Sequence, residues 1–103
     1  MTSQEKLFYE IGEKLKGAEK SQMFGKPCFK TGGKAFICFF QNEMVFKLSG
    51  VTHGNALKLK GAQLFDPSGK KRPMKEWVQV PYDFSDKWQA FSRAAMKYVE
   101  ENL

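Results

Sequence analysis

The sequence has few residues of the kinds that build metal centres, disulfide frameworks or membrane spans. It contains two cysteines, Cys28 and Cys38, and a single histidine, His53, whereas a structural zinc site normally takes four ligands. No run of about 18 apolar residues is present, which excludes an ordinary membrane-spanning helix. The first 17 residues alternate charged and apolar side chains and lack the apolar segment of a signal peptide. We therefore expect a cytoplasmic protein with reduced thiols, no metal, no cofactor and no membrane partner.

Recognisable catalytic motifs are also missing. The chain contains no Walker loop, dinucleotide fingerprint or zinc-protease motif. His53 stands alone, without a serine or cysteine motif that it would activate as a general base. No catalytic residue is predicted, and a non-enzymatic binding or regulatory module is the expected class of protein.

Acidic residues are scarce in the middle of the chain. Between residues 20 and 75 there are ten lysines and Arg72, but only Glu43 and Asp66 carry negative charge. This segment has a net charge of +9, while the whole chain has +6 because both ends are mildly acidic. Such a distribution could be a binding surface for an anionic partner, but the ratio of 15 lysines to two arginines favours the simpler interpretation, that surface lysines confer solubility, because arginine is the usual residue for recognising phosphates.

What the chain does contain is enough apolar material for one core. With 103 residues, of which 42% are hydrophobic and 15% aromatic, it is expected to form a single domain over residues 1–103. Helical spacing of apolar residues predicts a helix over 3–16, a short helix within 51–60 and a final helix from about 85 to 102. Thr2 and Glu5 have the spacing of a capping box at the first helix.

The stretch from Ser21 to Leu48 predicts a meander of antiparallel strands. Gly32-Gly33 and the cluster at residues 41–43 separate three runs rich in aromatic and β-branched residues. Two further strands are predicted near residues 64–65 and 76–80. The predicted order is α-β-β-β-α-β-β-α, a two-layer α+β domain whose largely antiparallel five-stranded sheet carries helices on one face.

Several short motifs follow one another along the chain: Met23-Phe24-Gly25, Gly33-Lys34-Ala35-Phe36, Phe46-Lys47-Leu48, Phe65-Asp66-Pro67, residues 71–77 (KRPMKEW) and Val80-Pro81. In this order they resemble the N-terminal domain of the TfoX/Sxy family of competence-regulator-like proteins, which includes stand-alone members. The resemblance covers about residues 20–100. It implies an antiparallel sheet of the secretion-chaperone-like type, shared with the YjbR-like proteins, and it implies no catalytic residue.

The pairing of Cys28 with Cys38 depends on the turn between them. A three-residue loop at 32–34 would place the two cysteines directly opposite each other, whereas a two-residue turn would place Cys28 opposite Ile37. The first register would allow a disulfide. The simpler interpretation is a pair of buried, reduced thiols that act as small hydrophobic side chains.

Two binding surfaces are predicted. The preferred partner is another protein, or a second copy of this chain in a homodimer, bound through the apolar side chains Ile37, Phe39 and Val45 on a sheet face that the helices would not cover. The alternative partner is nucleic acid or another polyanion, with Phe29 and Phe39 as stacking surfaces. The candidate contacts for the anion are Lys30, Lys34, Lys47, Lys70, Lys71, Arg72 and Lys75.

Overall fold

The computed structural model describes all residues from 1 to 103 and shows an α+β domain, which confirms the predicted class. A single antiparallel sheet has the strand order β1-β2-β3-β4-β6-β5. It contains six strands instead of the predicted five. The elements are α1 (Ser3–Lys14), β1 (Glu19–Met23), β2 (Lys26–Thr31), β3 (Lys34–Phe40), β4 (Glu43–Lys47), α2 (Gly50–Leu57), β5 (Gln63–Phe65), β6 (Met74–Val80), a 3-10 turn (Tyr82–Lys87) and α3 (Trp88–Glu101).

Three tight turns join the first four strands. Each has two central residues with positive φ: Phe24 and Gly25, Gly32 and Gly33, and Gln41 and Asn42. Positive φ at both positions is the mark of the type I′ turn, whose twist matches that of the flanking strands. The four strands therefore form a continuous meander.

The additional strand is β1. Its sequence, Glu-Lys-Ser-Gln-Met, has no alternation of apolar and polar residues, and the segment 18–22 is predicted as a connection for that reason. In the structure it pairs with β2 along its whole length, from Glu19 opposite Lys30 to Met23 opposite Lys26. It is an edge strand, and charged residues at such an edge discourage pairing with other chains.

All three helices pack on one face of the sheet, as predicted. Their apolar side chains and those of the strands form a core of 16 buried residues that includes Phe8, Phe46, Trp88 and Val99. The Thr2 side chain accepts a hydrogen bond from the Glu5 amide at the start of α1, at 3.1 Å, as the capping-box spacing predicts. None of the helices has both the length and the apolar character that a membrane span requires.

The second and third helices begin at different residues from those predicted. Helix α2 begins at Gly50 after Ser49, and α3 begins at Trp88 after a 3-10 turn. Val99 and Ala95 of α3 lie in the core, whereas the acidic residues Glu100 and Glu101 are exposed. The helix layer thus covers one face of the sheet, and the opposite face, which we call the open face, has no helix on it.

Candidate functional site

The open face carries a second, smaller apolar cluster. The strand registers place Cys28 opposite Cys38 and Cys38 opposite Val45. Together with Phe65 and Trp77 these side chains form a cluster of five buried residues. Phe65 stands edge-on to Phe40 at a centroid distance of 5.2 Å. The cluster is closed by residues of the chain itself, with Met23, Ala35, Phe40 and Met74 packed around it.

The predicted apolar interaction surface of Ile37, Phe39 and Val45 is therefore wrong. Ile37 and Phe39 lie opposite Phe46 and Met44, and they belong to the core under the helices. Val45 lies on the other face, where it is completely buried. The three residues neither share a face nor reach solvent, because Phe39 is only 7% exposed and the other two are 0% exposed.

The predicted stacking surfaces are also wrong, because both phenylalanines are buried. Phe29 is 1% exposed, and its ring lies 5.3 Å from that of Phe8 in α1. Phe39 lies 5.5 Å from the same Phe8 ring. Both phenylalanines hold α1 on the sheet and cannot stack on a ligand.

A bulge sets the positions of the two cysteines. The turn at Gly32-Gly33 has two residues, with Thr31 opposite Lys34, but the register then shifts so that Cys28 lies opposite Cys38. The extra residue is Phe36, which is buried in the helix-side core. Both thiols are free and buried. Burial raises the pKa of the Cys38 thiol, and the neighbouring Cys28 raises it further by a smaller amount. Burial also raises the pKa of the Cys28 thiol, although the positive charge of Lys30 acts in the opposite direction.

The structure brings most of the candidate basic residues to the open face. Lys30 follows Cys28 by two positions on β2, and Lys47 lies opposite Trp77, so both side chains leave the strands on that face. Lys75 lies where β6 is irregular, between Met74 and Trp77, and it is exposed at the start of that strand, next to the 66–73 loop. One strand, β3, separates Lys30 from Lys47, which corresponds to a spacing of about 10 Å.

Lys34 leaves the sheet on the helix side. Its strand partner Thr31 donates a hydrogen bond to Glu100 of α3 at 3.0 Å, which fixes the side on which this pair lies. Lys34 nevertheless reaches the end of the sheet, where it and Lys47 line one small cavity together with Tyr98. Five of the seven candidate basic residues thus belong to the open face or to the loop beside it: Lys30, Lys47, Lys70, Lys71 and Arg72.

That loop, residues 66–73, is organised by the carboxylate of Asp66. Its Oδ1 accepts hydrogen bonds from the Ser68 hydroxyl at 3.0 Å and the Gly69 amide at 3.1 Å. Its Oδ2 accepts one from the Lys71 amide at 3.0 Å. Because the carboxylate is engaged with the backbone, the exposed side chains of Lys70, Lys71 and Arg72 have no acidic partner in their own loop.

The positive charges of the open face are not neutralised by ion pairs. The only salt bridge in the structure joins Lys20 to Glu13, at 3.1 Å on the helix side. Glu43 instead accepts a hydrogen bond from the side-chain amide of Gln79, at 2.7 Å. The open face therefore presents a group of cations that no carboxylate of the chain approaches within 4.0 Å.

Sequence reasoning misses several residues of this face. Lys26 lies on β2 with its Nζ 5.6 Å from the centre of the Phe40 ring, a distance at which cation and ring attract. Phe24 is 63% exposed at the tip of the β1–β2 turn. Gln79 is only 3% exposed. An aromatic residue in a turn, where glycine or asparagine is usual, is the one signal in the sequence that points to Phe24.

The structure gives no arrangement suited to a metal ion, since no three His, Cys, Asp or Glu side chains lie together. The Nε2 of His53 lies 2.8 Å from the carbonyl oxygen of Lys75, to which it donates. His53 thereby connects α2 to the start of β6. No protein-family model matches the chain, and no curated protein or solved structure shows significant similarity to it.

Proposed function

We propose that the protein is a non-enzymatic binding module that holds single-stranded nucleic acid, a polyanion, against the open face of its sheet. The observation that carries this proposal is the group of unpaired cations on that face and its loop: Lys26, Lys30, Lys47, Lys70, Lys71 and Arg72. Cations that contact phosphates release condensed counterions, which supplies sequence-independent affinity.

The separation of charge between the two layers supports this orientation. Seven of the 11 acidic residues lie in α1, in α3 or in the turn before α3, while nine of the 17 basic residues lie in the strands or in the 66–73 loop. An anionic polymer is therefore attracted more strongly to the open face than to the helix layer. The sheet and the adjoining basic loop form a surface of the kind to which single-stranded nucleic acids bind.

No comparable observation supports self-association through an apolar face. The sequence favours it because Ile37, Phe39 and Val45 are predicted to lack cover, but all three are buried within one chain. The largest exposed apolar side chains that remain, such as Phe24 and Val51, lie on different elements and do not form a patch.

We also propose that the chain is a module of the TfoX N-terminal type that acts in the cytoplasm. The support for the family is the set of short motifs in the family's order. Met23-Phe24-Gly25 forms the β1–β2 turn, and Gly33 to Phe36 forms the second turn with its bulge. The two buried free thiols suit a reducing compartment.

The test is a charge reversal on each layer, matched in net charge. Binding of a fluorescent single-stranded 12-mer is measured by anisotropy as a function of salt. Lys70→Glu/Lys71→Glu should weaken binding and reduce the slope of log K against log salt by about 1.4, because each phosphate contact on a single strand contributes about 0.7. Lys14→Glu/Lys97→Glu, on the helix layer, should leave the slope unchanged. Equal effects of the two pairs, or no binding by the wild-type protein at low salt, would refute the proposal.

A further inference from the structure

One end of the open face contains a cavity that is separate from the apolar core. Its volume is about 350 Å³, within the range of small-ligand sites. Phe40 and Leu64 form its apolar walls, and the loop at Pro67–Gly69 forms its rim. The remaining wall is polar and consists of three glutamines, Gln41, Gln63 and Gln79, with Asp66.

Gln79 is the fixed polar group of this cavity. It lies on β6 directly opposite Val45 on one side and Gln63 on the other. A carboxylate can only accept hydrogen bonds, so the bond to Glu43 requires the amide nitrogen of Gln79 to face Glu43. The amide oxygen of Gln79 then has no hydrogen-bond partner in the chain. It is not completely enclosed by the protein, so a ligand can reach it. An acceptor of fixed orientation is therefore presented by a residue that is 97% buried.

Aromatic and basic groups flank the cavity at the same end of the sheet. The Lys26 ammonium lies over the Phe40 ring. Phe24, two residues before Lys26, is 63% exposed and has a φ of +53°. Phenylalanine is disfavoured in that conformation, which costs about 1 kcal/mol or more outside glycine, asparagine and aspartate. Asparagine or glycine would suit this position of the turn better.

We infer that this end of the open face is a subsite for one unpaired nucleobase that carries an exocyclic amino group. The base stacks on the exposed Phe24 ring or on Phe40, and its amino group donates to the Gln79 oxygen. Lys26 lies over the Phe40 ring of the cavity wall and Lys70 follows Gly69 of the rim, so both are available to the flanking phosphates. Adenine, cytosine and guanine have this amino donor, whereas thymine and uracil offer only the N3–H, which is flanked by two carbonyl oxygens that the Gln79 oxygen would repel. This inference rests on the proposed function and specifies which bases the face prefers.

The competing occupant is an acidic peptide, which would use the same cations. A peptide offers carboxylates to the lysines, but it has no need of an exposed ring beside a fixed acceptor. Stacking of bases on aromatic side chains is a general feature of single-strand binding. An exposed ring and a fixed acceptor at one end of the face therefore favour a base, and an acidic peptide becomes one outcome of the test.

The experiment compares four labelled 12-mers at one low salt concentration with the full chain: oligo-dC, oligo-dA, oligo-dT and an abasic backbone of equal charge. We expect oligo-dC and oligo-dA to bind about fivefold more tightly than oligo-dT, the low end expected for a single base contact. Gln79→Leu should abolish this preference. Glu43→Gln, which lets the Gln79 amide turn over, should reduce it. Gln22→Leu, a glutamine on the far edge strand, should leave it unchanged.

Phe24→Asn provides the second variant. Asparagine tolerates positive φ, so the turn should remain intact while affinity for oligo-dC falls about tenfold and affinity for the abasic backbone stays the same. Val51→Asn, at an exposed position of α2, is the control. Equal binding of all four polymers would overturn the inference and leave the proposed function standing. Binding of none of them, or displacement only by polyglutamate, would overturn both.

Discussion

The close contact between α1 and the sheet makes a strong prediction at Gly12. Gly12 is buried in the last turn of α1. A Cβ atom added there would lie well under 3.0 Å from three ring atoms of Phe29, whereas nonbonded carbon atoms rest about 3.5–4.0 Å apart. The Phe29 ring has little room to move, because it packs against Phe8 at 5.3 Å and Tyr9 at 6.3 Å.

We expect Gly12→Ala to destabilise the protein by about 1–2 kcal/mol. Overpacking a filled core costs roughly 1–3 kcal/mol, and the better helix propensity of alanine returns up to about 1 kcal/mol. For a domain of this size the midpoint of thermal unfolding should fall by roughly 5–15 °C. Urea unfolding followed by circular dichroism measures the free energy directly.

Two further variants separate packing from helix propensity. Gly54, in α2, has no atom within 4 Å of the position that a Cβ would take, so Gly54→Ala should stabilise the protein by up to about 1 kcal/mol. Phe29→Leu combined with Gly12→Ala should cost less than the sum of the single changes, because the smaller side chain makes room for the new methyl group. A Gly12→Ala protein as stable as the wild type would show that α1 does not lie against Phe29 as described.

Two other predictions concern buried groups. Cys28 and Cys38 should resist a thiol reagent at pH 8 in the folded protein and react after denaturation. Because their folded pKa values are raised above the ordinary 9.0, the stability that they contribute is complete below pH 9 and is lost as the pH rises further, when the unfolded chain releases thiol protons. Fast labelling of the native protein would contradict this. Trp88 is fully buried with its indole N–H unpartnered, so Trp88→Phe should cost less than about 2 kcal/mol, whereas Trp88→Ala should cost about 3–5 kcal/mol. Equal losses in urea unfolding would rule out this interpretation.

The sequence was sufficient for the fold class and for most of the elements. Gly32-Gly33 marks a turn because both residues need positive φ, and the helical spacing of apolar residues locates α1 and α3. Strand β1 escaped prediction because an edge strand without a buried face has no periodic pattern. Its existence depends on the Phe24-Gly25 turn, which the sequence shows only as an aromatic residue before a glycine.

The faces of the sheet were harder to predict, because each depends on the length of a turn. The cluster at residues 41–43 suggests a three-residue loop, which would place Phe39 beside Val45. The actual turn has two residues, Gln41 and Asn42, and this difference of one residue moves Phe39 opposite Met44. The bulge at Phe36 has a similar effect on the cysteines.

The candidate site, too, could be predicted from the sequence only in part. The excess of lysine in the middle of the chain is visible in the composition, but its concentration on one face follows only from the register. The subsite around Gln79 could not be predicted, since a glutamine between valines on β6 gives no sign of the carboxylate that orients it. Such a site is assembled from strands distant in sequence.

The most direct test of the central claim is to map the binding surface in solution. Amide chemical shifts of the isotope-labelled protein are recorded as oligo-dC is added at low salt. We predict that the perturbed amides lie in β2 from Lys26 to Lys30, in the loop at residues 66–73 and in β6, while those of α1 and α3 stay unchanged. Perturbations confined to the helix layer, or none at all, would contradict the assignment of the open face as the binding surface.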